Sequence, residues 1–170
     1  MLDQLPEFID PLHLADKRGE LHGKIPLLGM ARLAEITVDS EGSVVVDMVF
    51  GRDGRLAKIE GRIQACLQLK CQSCLNAIEW KVDNAINLGI VNSIDQANRL
   101  PEEYEPLLIG EGKIPLKDII EDELLLSVPE YPKHEYDCFA FNSDVKQDEL
   151  LKEPQALNEN PFSILAKLKT

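Results

Sequence analysis

A chain of 170 residues has room for one domain and too little for two comfortable ones. With 44% hydrophobic residues it can bury a core without disulfide staples, and with 5% aromatics it lacks the material for a large base-stacking surface. Its net charge of −12 argues against unaided, non-specific nucleic-acid binding, which depends on neutralising phosphates. That charge favours a basic protein partner, or RNA contact confined to a local basic face.

In chain order, residues 1–10 read as an extended entry without the basic region and apolar core of a secretory signal. Asp10 as N-cap and Pro11 at the first helical position predict a short helix over Pro11–Lys17, stopped near Gly19. Glu20–Ile25 reads as a strand, Leu27–Leu33 as a helical turn or two, and Ile36–Asp39 as a short strand. The valine-rich Ser43–Phe50 is a further strand, and Gly51–Gly54 a turn. Two long stretches of period-two alternation follow, at about 57–70 and 77–90, and predict an antiparallel hairpin. Beyond it lie a mostly irregular 92–105 with a helical turn near Ile94–Asn98, a short strand at Pro106–Ile109, and a helix over Pro115–Ser127. In that helix Leu116, Ile119, Ile120 and Leu124 recur at helical spacing, and Glu121, Asp122 and Glu123 read as a solvated face. Residues 129–160 are rich in proline, acids and amides, with a weak helical hint at Val145–Leu151; residues 160–169, led by Asn160 and Pro161, read as a short amphipathic helix.

The fold class expected is therefore α+β: an antiparallel sheet built on the central hairpin, with a few packed helices. Residues 1–128 would form the domain and 129–170 an acidic, partly flexible arm. Charge is distributed unevenly over this plan. Residues 1–100 carry 11 basic against 14 acidic side chains, and residues 101–170 carry 7 against 16. Residues 52–81 run the other way, at +3, through Arg55, Lys58, Arg62 and their neighbours.

One motif stands out, Cys71-Gln-Ser-Cys74, on the predicted turn between the two long strands. Two thiolates at this spacing can share one Zn²⁺, and a complete site needs two further ligands. His134 and Cys138 are of the right types, but 59 residues separate Cys74 from His134, so only the fold can unite them. A redox pair is the alternative, although such pairs usually sit at a helix N-terminus. Cys66, Cys71 and Cys74 also match the spacing of an iron–sulfur loop, yet Cys66 lies within the alternating strand. A reduced pair that merely shapes the turn is the remaining reading. No phosphate-binding glycine loop, nucleophile elbow or His-Glu-x-x-His motif is present.

Several stretches together resemble a known family. They are Asp10-Pro11 with Ala15-Asp-Lys17-Arg18 and Gly23; Leu69-Lys-Cys71-Gln-Ser-Cys74; Leu100-Pro-Glu-Glu-Tyr104; Ile119-Ile-Glu-Asp122-Glu123; and Asn160-Pro161-Phe162 through Leu168-Lys169. In order and spacing they resemble the bacterial family of the large ribosomal RNA subunit accumulation protein YceD. The resemblance implies a role in the synthesis, processing or stability of large-subunit (23S) ribosomal RNA; with no catalytic motif, secretory signal or apolar span in the sequence, the factor expected is non-enzymatic and cytoplasmic. It implies paired thiols at Cys71 and Cys74, and recurring positions of unassigned role at Lys17, Arg18 and the tail that carries Lys167 and Lys169. The partner expected is that RNA or its precursor, met directly or through a basic ribosomal protein, with no membrane involved. RNA or partner contacts are expected at Lys17, Arg18, Arg55, Lys58, Arg62, Lys167 and Lys169. A zinc-stapled scaffold and a thiol redox protein are the competing readings.

Overall fold

The alternation between residues 43 and 91 becomes three consecutive antiparallel strands in the computed structural model, which describes residues 5–110 and 112–138. They are β3 (Ser43–Asp53), β4 (Leu56–Lys70) and β5 (Ala77–Val91). Because strand side chains point alternately to opposite faces, Val46, Met48 and Phe50 of β3 join Ile59, Ile63 and Leu67 of β4 and Val82, Ile86 and Leu88 of β5 on one buried face. Each such side chain contributes roughly 1.5–3 kcal/mol by leaving water. The other face carries Lys58, Glu60, Arg62, Gln64 and Asp83.

The register leaves no side chain at the centre of the inner face. Gly61 stands between Met48 and Ile86, and a Cβ there would lie 2.1 Å from the backbone oxygen of Asp47. Backbone cannot yield as a flexible side chain can, so this position requires glycine.

Two further strands complete the sheet, in the order β2-β3-β4-β5-β6. Strand β2 (Glu20–Pro26) pairs antiparallel with β3. Strand β6 (Glu105–Leu108) pairs parallel with β5, so the sheet is mostly rather than wholly antiparallel. Residues 92–104 explain the difference: a parallel return needs a connection of about a dozen residues, and this one, containing helix α3 (Ile94–Ala97), is long enough. A small second sheet joins β1 (Phe8–Ile9) to β7 (Ile114–Pro115). Two expectations shift. Strand β3 runs on to Asp53, and the turn is Gly54–Arg55, where the ladder pair Asp53–Leu56 closes and Gly54 takes φ +57°. Residues 36–39 form no strand; Thr37 bridges Leu69, and the Val38 amide donates to the Gln68 carbonyl at 2.7 Å.

Helix α1 (Pro11–Lys17) starts as its sequence demands: the Asp10 carboxylate accepts the His13 amide at 3.0 Å. It ends at Arg18, with φ 51°. Helices α2 (Ala31–Ala34) and α4 (Leu116–Leu126) add Leu33, Leu116, Ile119, Ile120 and Leu124 to the core. Ser127 anchors the end of α4 to β5, its carbonyl accepting from the Trp80 indole (3.3 Å) and its hydroxyl from the Asn84 amide (2.9 Å).

The solvated face expected at 121–123 is not what forms. Glu121 and Glu123 are both buried and only Asp122 is exposed. Glu121 accepts the Leu33 amide at 3.0 Å and pairs with Arg32 at 3.2 Å, so it locks α2 to α4. By contact density the chain divides into unit 1 (Met1–Glu135) and unit 2 (Tyr136–Thr170). The fold above is that of the first, and in the second the described residues are Tyr136–Cys138. The helical readings at Val145–Leu151 and 160–169, with Lys167 and Lys169, lie outside the described residues.

Candidate metal centre and basic cleft

The connection between β4 and β5 is six residues long, Cys71–Asn76, and is folded into a tight knuckle. Its ends are joined by the Cys71 amide donating to the Asn76 carbonyl at 2.9 Å, and the Leu75 amide donates to the Cys71 carbonyl at 3.0 Å. The chain must reverse within this loop, and Leu75 takes φ 64° to do it. A left-handed conformation costs a branched, bulky residue roughly 1–2 kcal/mol, and Leu75 gains little burial in return, being 62% exposed. Strain of this kind persists where the surrounding geometry is over-determined. Here that geometry turns both cysteines inward: Cys71 is fully buried and Cys74 is 8% exposed.

The third group arrives from far along the chain. The Gln72 amide donates to the Pro132 carbonyl at 2.9 Å, which ties the segment after α4 across the knuckle. His134 thereby comes to Cys74, with Sγ and Nδ1 3.4 Å apart. The ligand atoms of Cys71, Cys74 and His134 all lie within 4.8 Å of one another.

These residues fit zinc. A tetrahedral ion with Zn–S of about 2.3 Å and Zn–N of about 2.0 Å sets sulfur and nitrogen about 3.5 Å apart. The Ser73 amide also donates to Cys71 Sγ at 3.4 Å. Sulfur and imidazole are the ligands zinc prefers, and no carboxylate belongs to the group. Cys66 is exposed on the outer face of β4, so an iron–sulfur loop with Cys71 and Cys74 does not form. Cys138 stands four residues beyond His134, in unit 2.

The basic residues named from sequence separate into two sets. Lys58 and Arg62 lie four residues apart on the outer face of β4, with Glu60 between them, and both are held by acids. Arg62 donates to Asp83 through Nε and, at 2.8 Å, through an Nη. This pairing raises the arginine's pKa and lowers that of the aspartate. Lys58 donates to Glu60 at 2.7 Å and lies over the Tyr104 ring; the Glu60 contact chiefly raises its pKa.

Arg55 belongs to the other set. It lines a cleft of about 660 Å³ with Arg52, Arg99, Gln96 and Asn92 and with one acid, Asp53, between the β3–β4 turn and the start of the 92–104 connection. Arg52 bonds to Asp16 at 2.5 Å, which brings the end of α1, carrying Lys17 and Arg18, to the β3–β4 turn. Arg55 and Arg99 make no ion pair with any described residue. The sequence marks Arg52 as part of the basic stretch 52–81 but not as a contact residue, and nothing local marks Arg99, which sits in a polar connection.

The family model described as large ribosomal RNA subunit accumulation protein YceD matches residues 59–169. A curated relative, the large ribosomal RNA subunit accumulation protein YceD of Haemophilus influenzae, is 32% identical over 168 residues, which cover 98% of this chain and 97% of that protein. No solved structure matches.

Proposed function

The chain belongs to the family of the large ribosomal RNA subunit accumulation protein YceD, and from that premise we propose that it promotes accumulation of large-subunit ribosomal RNA by binding rather than by catalysis. The observation that carries this reading is the 32% identity to the curated relative along 98% of the chain. The disposition of the polar groups supports it. Glu121 is consumed by Arg32 and Leu33 and Asp122 by Arg32, and among the described residues the three acids do not gather closely enough to hold a metal ion, as a metal-dependent nuclease would need. A thiol oxidoreductase must offer a sulfur to its substrate, and Cys71 is fully buried.

RNA contact falls to the cleft of Arg52, Arg55 and Arg99 and to the adjoining Lys17 and Arg18. Arg55 and Arg99, which pair with no carboxylate among the described residues, are free to grip phosphate, while Arg52, held by Asp16, shapes the cleft; their small number keeps the contact local in an acidic protein. Lys58 and Arg62, already paired, contribute less; Lys167 and Lys169, outside the described residues, are further contact residues of this reading. The partner is large-subunit RNA or its precursor, met directly or through a basic ribosomal protein. The work is done in the cytoplasm; among the described residues no helix is long and apolar enough to cross a membrane.

Zn²⁺ is the structural part of this reading. Cys71, Cys74 and His134 hold it, and Cys138 supplies the fourth ligand, since four residues of chain span at most about 14 Å from His134. Two thiols from the β4–β5 knuckle and two ligands from the segment after α4 would staple the C-terminal part of the domain to the hairpin.

The test is the ratio of large- to small-subunit rRNA in cells that lack the protein, with rescue by the parent chain and by the Arg55→Glu, Arg99→Glu double variant. The deletion should lower the ratio, the parent should restore it, and the double variant should not. An unchanged ratio in the deletion overturns the reading as a whole. Full rescue by the double variant removes the arginine cleft from it.

A further inference from the structure

A second cleft, of about 770 Å³, lies between helix α4 and strands β5 and β6. Its walls are apolar, with Leu88 from β5, Leu107 from β6 and Ile119 and Leu125 from α4. Its charges are all of one sign: Glu105 on β6, and Asp122 and Glu123 on α4. From β5 only neutral side chains reach it. Asp122 is drawn off by Arg32. Among the described residues Glu123 has no such partner. It is 6% exposed, it lines the cleft, and no hydrogen bond or ion pair from a described residue reaches its carboxylate.

The carboxylate oxygens keep some contact with solvent through the open cleft, but holding a carboxylate this far from water with no protein donor among the described residues is still costly. Here the cost is visible in the acid itself: burial, then repulsion from Glu105 and Asp122, pushes its pKa to about 7. A cation delivered into the cleft would supply the missing partner. The acids do not converge closely enough to hold a metal ion, since among the described residues the only such group contains Cys71, Cys74 and His134. The space also exceeds a single amine, and apolar walls at this scale ask for apolar neighbours on the incoming chain. Leu126, 71% exposed, extends the apolar surface to the rim. Strand β6 is the last in the sheet, a place where an extended peptide can lie alongside.

We propose that this cleft binds an extended basic polypeptide segment, with a lysine or arginine side chain inserted against Glu123 and Glu105 and adjacent aliphatic side chains on Leu107, Leu125 and Leu126. The inference deepens the functional reading above and rests on it for one point, that the segment belongs to a basic ribosomal protein. A cleft lined by carboxylates repels phosphate, so RNA belongs at the arginine cleft and not here.

The experiment uses the full chain loaded with zinc and a fluorescein-labelled peptide of alternating arginine and leucine, at about 0.15 M salt, where diffuse charge attraction is screened beyond roughly 8 Å. Fluorescence anisotropy should show saturable binding. Glu123→Gln should weaken it about tenfold or more. Glu41→Gln, which removes the same charge from an exposed loop, should leave it unchanged. Leu126→Lys, an exposed substitution that puts a like charge at the rim, should weaken it too, and a polyuridine competitor should not displace the peptide. Equal effects of Glu123→Gln and Glu41→Gln overturn the proposal, as does displacement by the RNA. The rRNA ratio tests the functional reading separately: an unchanged ratio beside Glu123-dependent peptide binding would fault that reading and leave the basic-peptide site standing.

Discussion

Replacing Glu123 by glutamine should make the protein more stable at pH 8 and leave it nearly unchanged at pH 4.5. A carboxyl whose pKa is higher folded than unfolded binds its proton more tightly in the native state. Stability is then highest below the unfolded value, and it falls as pH rises through the folded one. For Glu123 the window runs from the ordinary 4.5 to about 7. Its cause is burial first, with Glu105 from β6 and Asp122 from its own helix adding repulsion, and no cation facing it from β5. Two and a half pH units correspond to a ceiling of about 3 kcal/mol. The carboxylate borders an open cleft, so solvent screening brings the expected gain at pH 8 to about 1–2 kcal/mol. In a domain of this size that raises Tm by roughly 3–8 °C.

The assay is thermal unfolding of parent and Glu123→Gln at the two pH values, followed by emission of the single tryptophan. Trp80 is well placed to report it, because its indole N–H donates to Ser127 at the end of α4. A gain that is the same at both pH values would show that the amide packs better and that ionisation is irrelevant. A loss at pH 8 would refute the reasoning outright, since it would mean that the charged carboxylate has a stabilising partner.

The knuckle makes two further predictions. Leu75→Gly should stabilise the protein by about 0.5–1 kcal/mol in urea unfolding, because relief of the left-handed strain exceeds the added freedom of the unfolded chain. Destabilisation would mean that Leu75 is not held at positive φ. Purified protein should contain one zinc per chain by elemental analysis, and a chelator should lower Tm by several degrees, an effect that Cys71→Ser abolishes. A metal-free protein with chelator-independent melting would leave the thiols and His134 as a hydrogen-bonded cluster.

The central hairpin and helix α1 were legible in the residues alone, since each rests on a local rule. Alternation of period two sets which face of β4 and β5 is buried, and Asp10 with Pro11 can cap one helix start whatever lies elsewhere. The Cys71–Cys74 pair was legible for the same reason, being a spacing within a turn. Its meeting with His134 was not, because the approach depends on the Gln72–Pro132 hydrogen bond, between residues sixty positions apart. The parallel pairing of β6, the β1–β7 bridge and the gathering of Arg52, Arg55 and Arg99 likewise depend on where distant segments come to rest. Glu121 and Glu123 show the limit most clearly. Helical spacing assigned them with Asp122 to a solvated face, and by local chemistry alone nothing distinguishes the three. Only the tertiary structure, which packs α2 on one side of the helix and sets β5 and β6 on the other, makes one a buried lock, one an exposed acid, and one a carboxylate drawn in from solvent without a partner among the described residues.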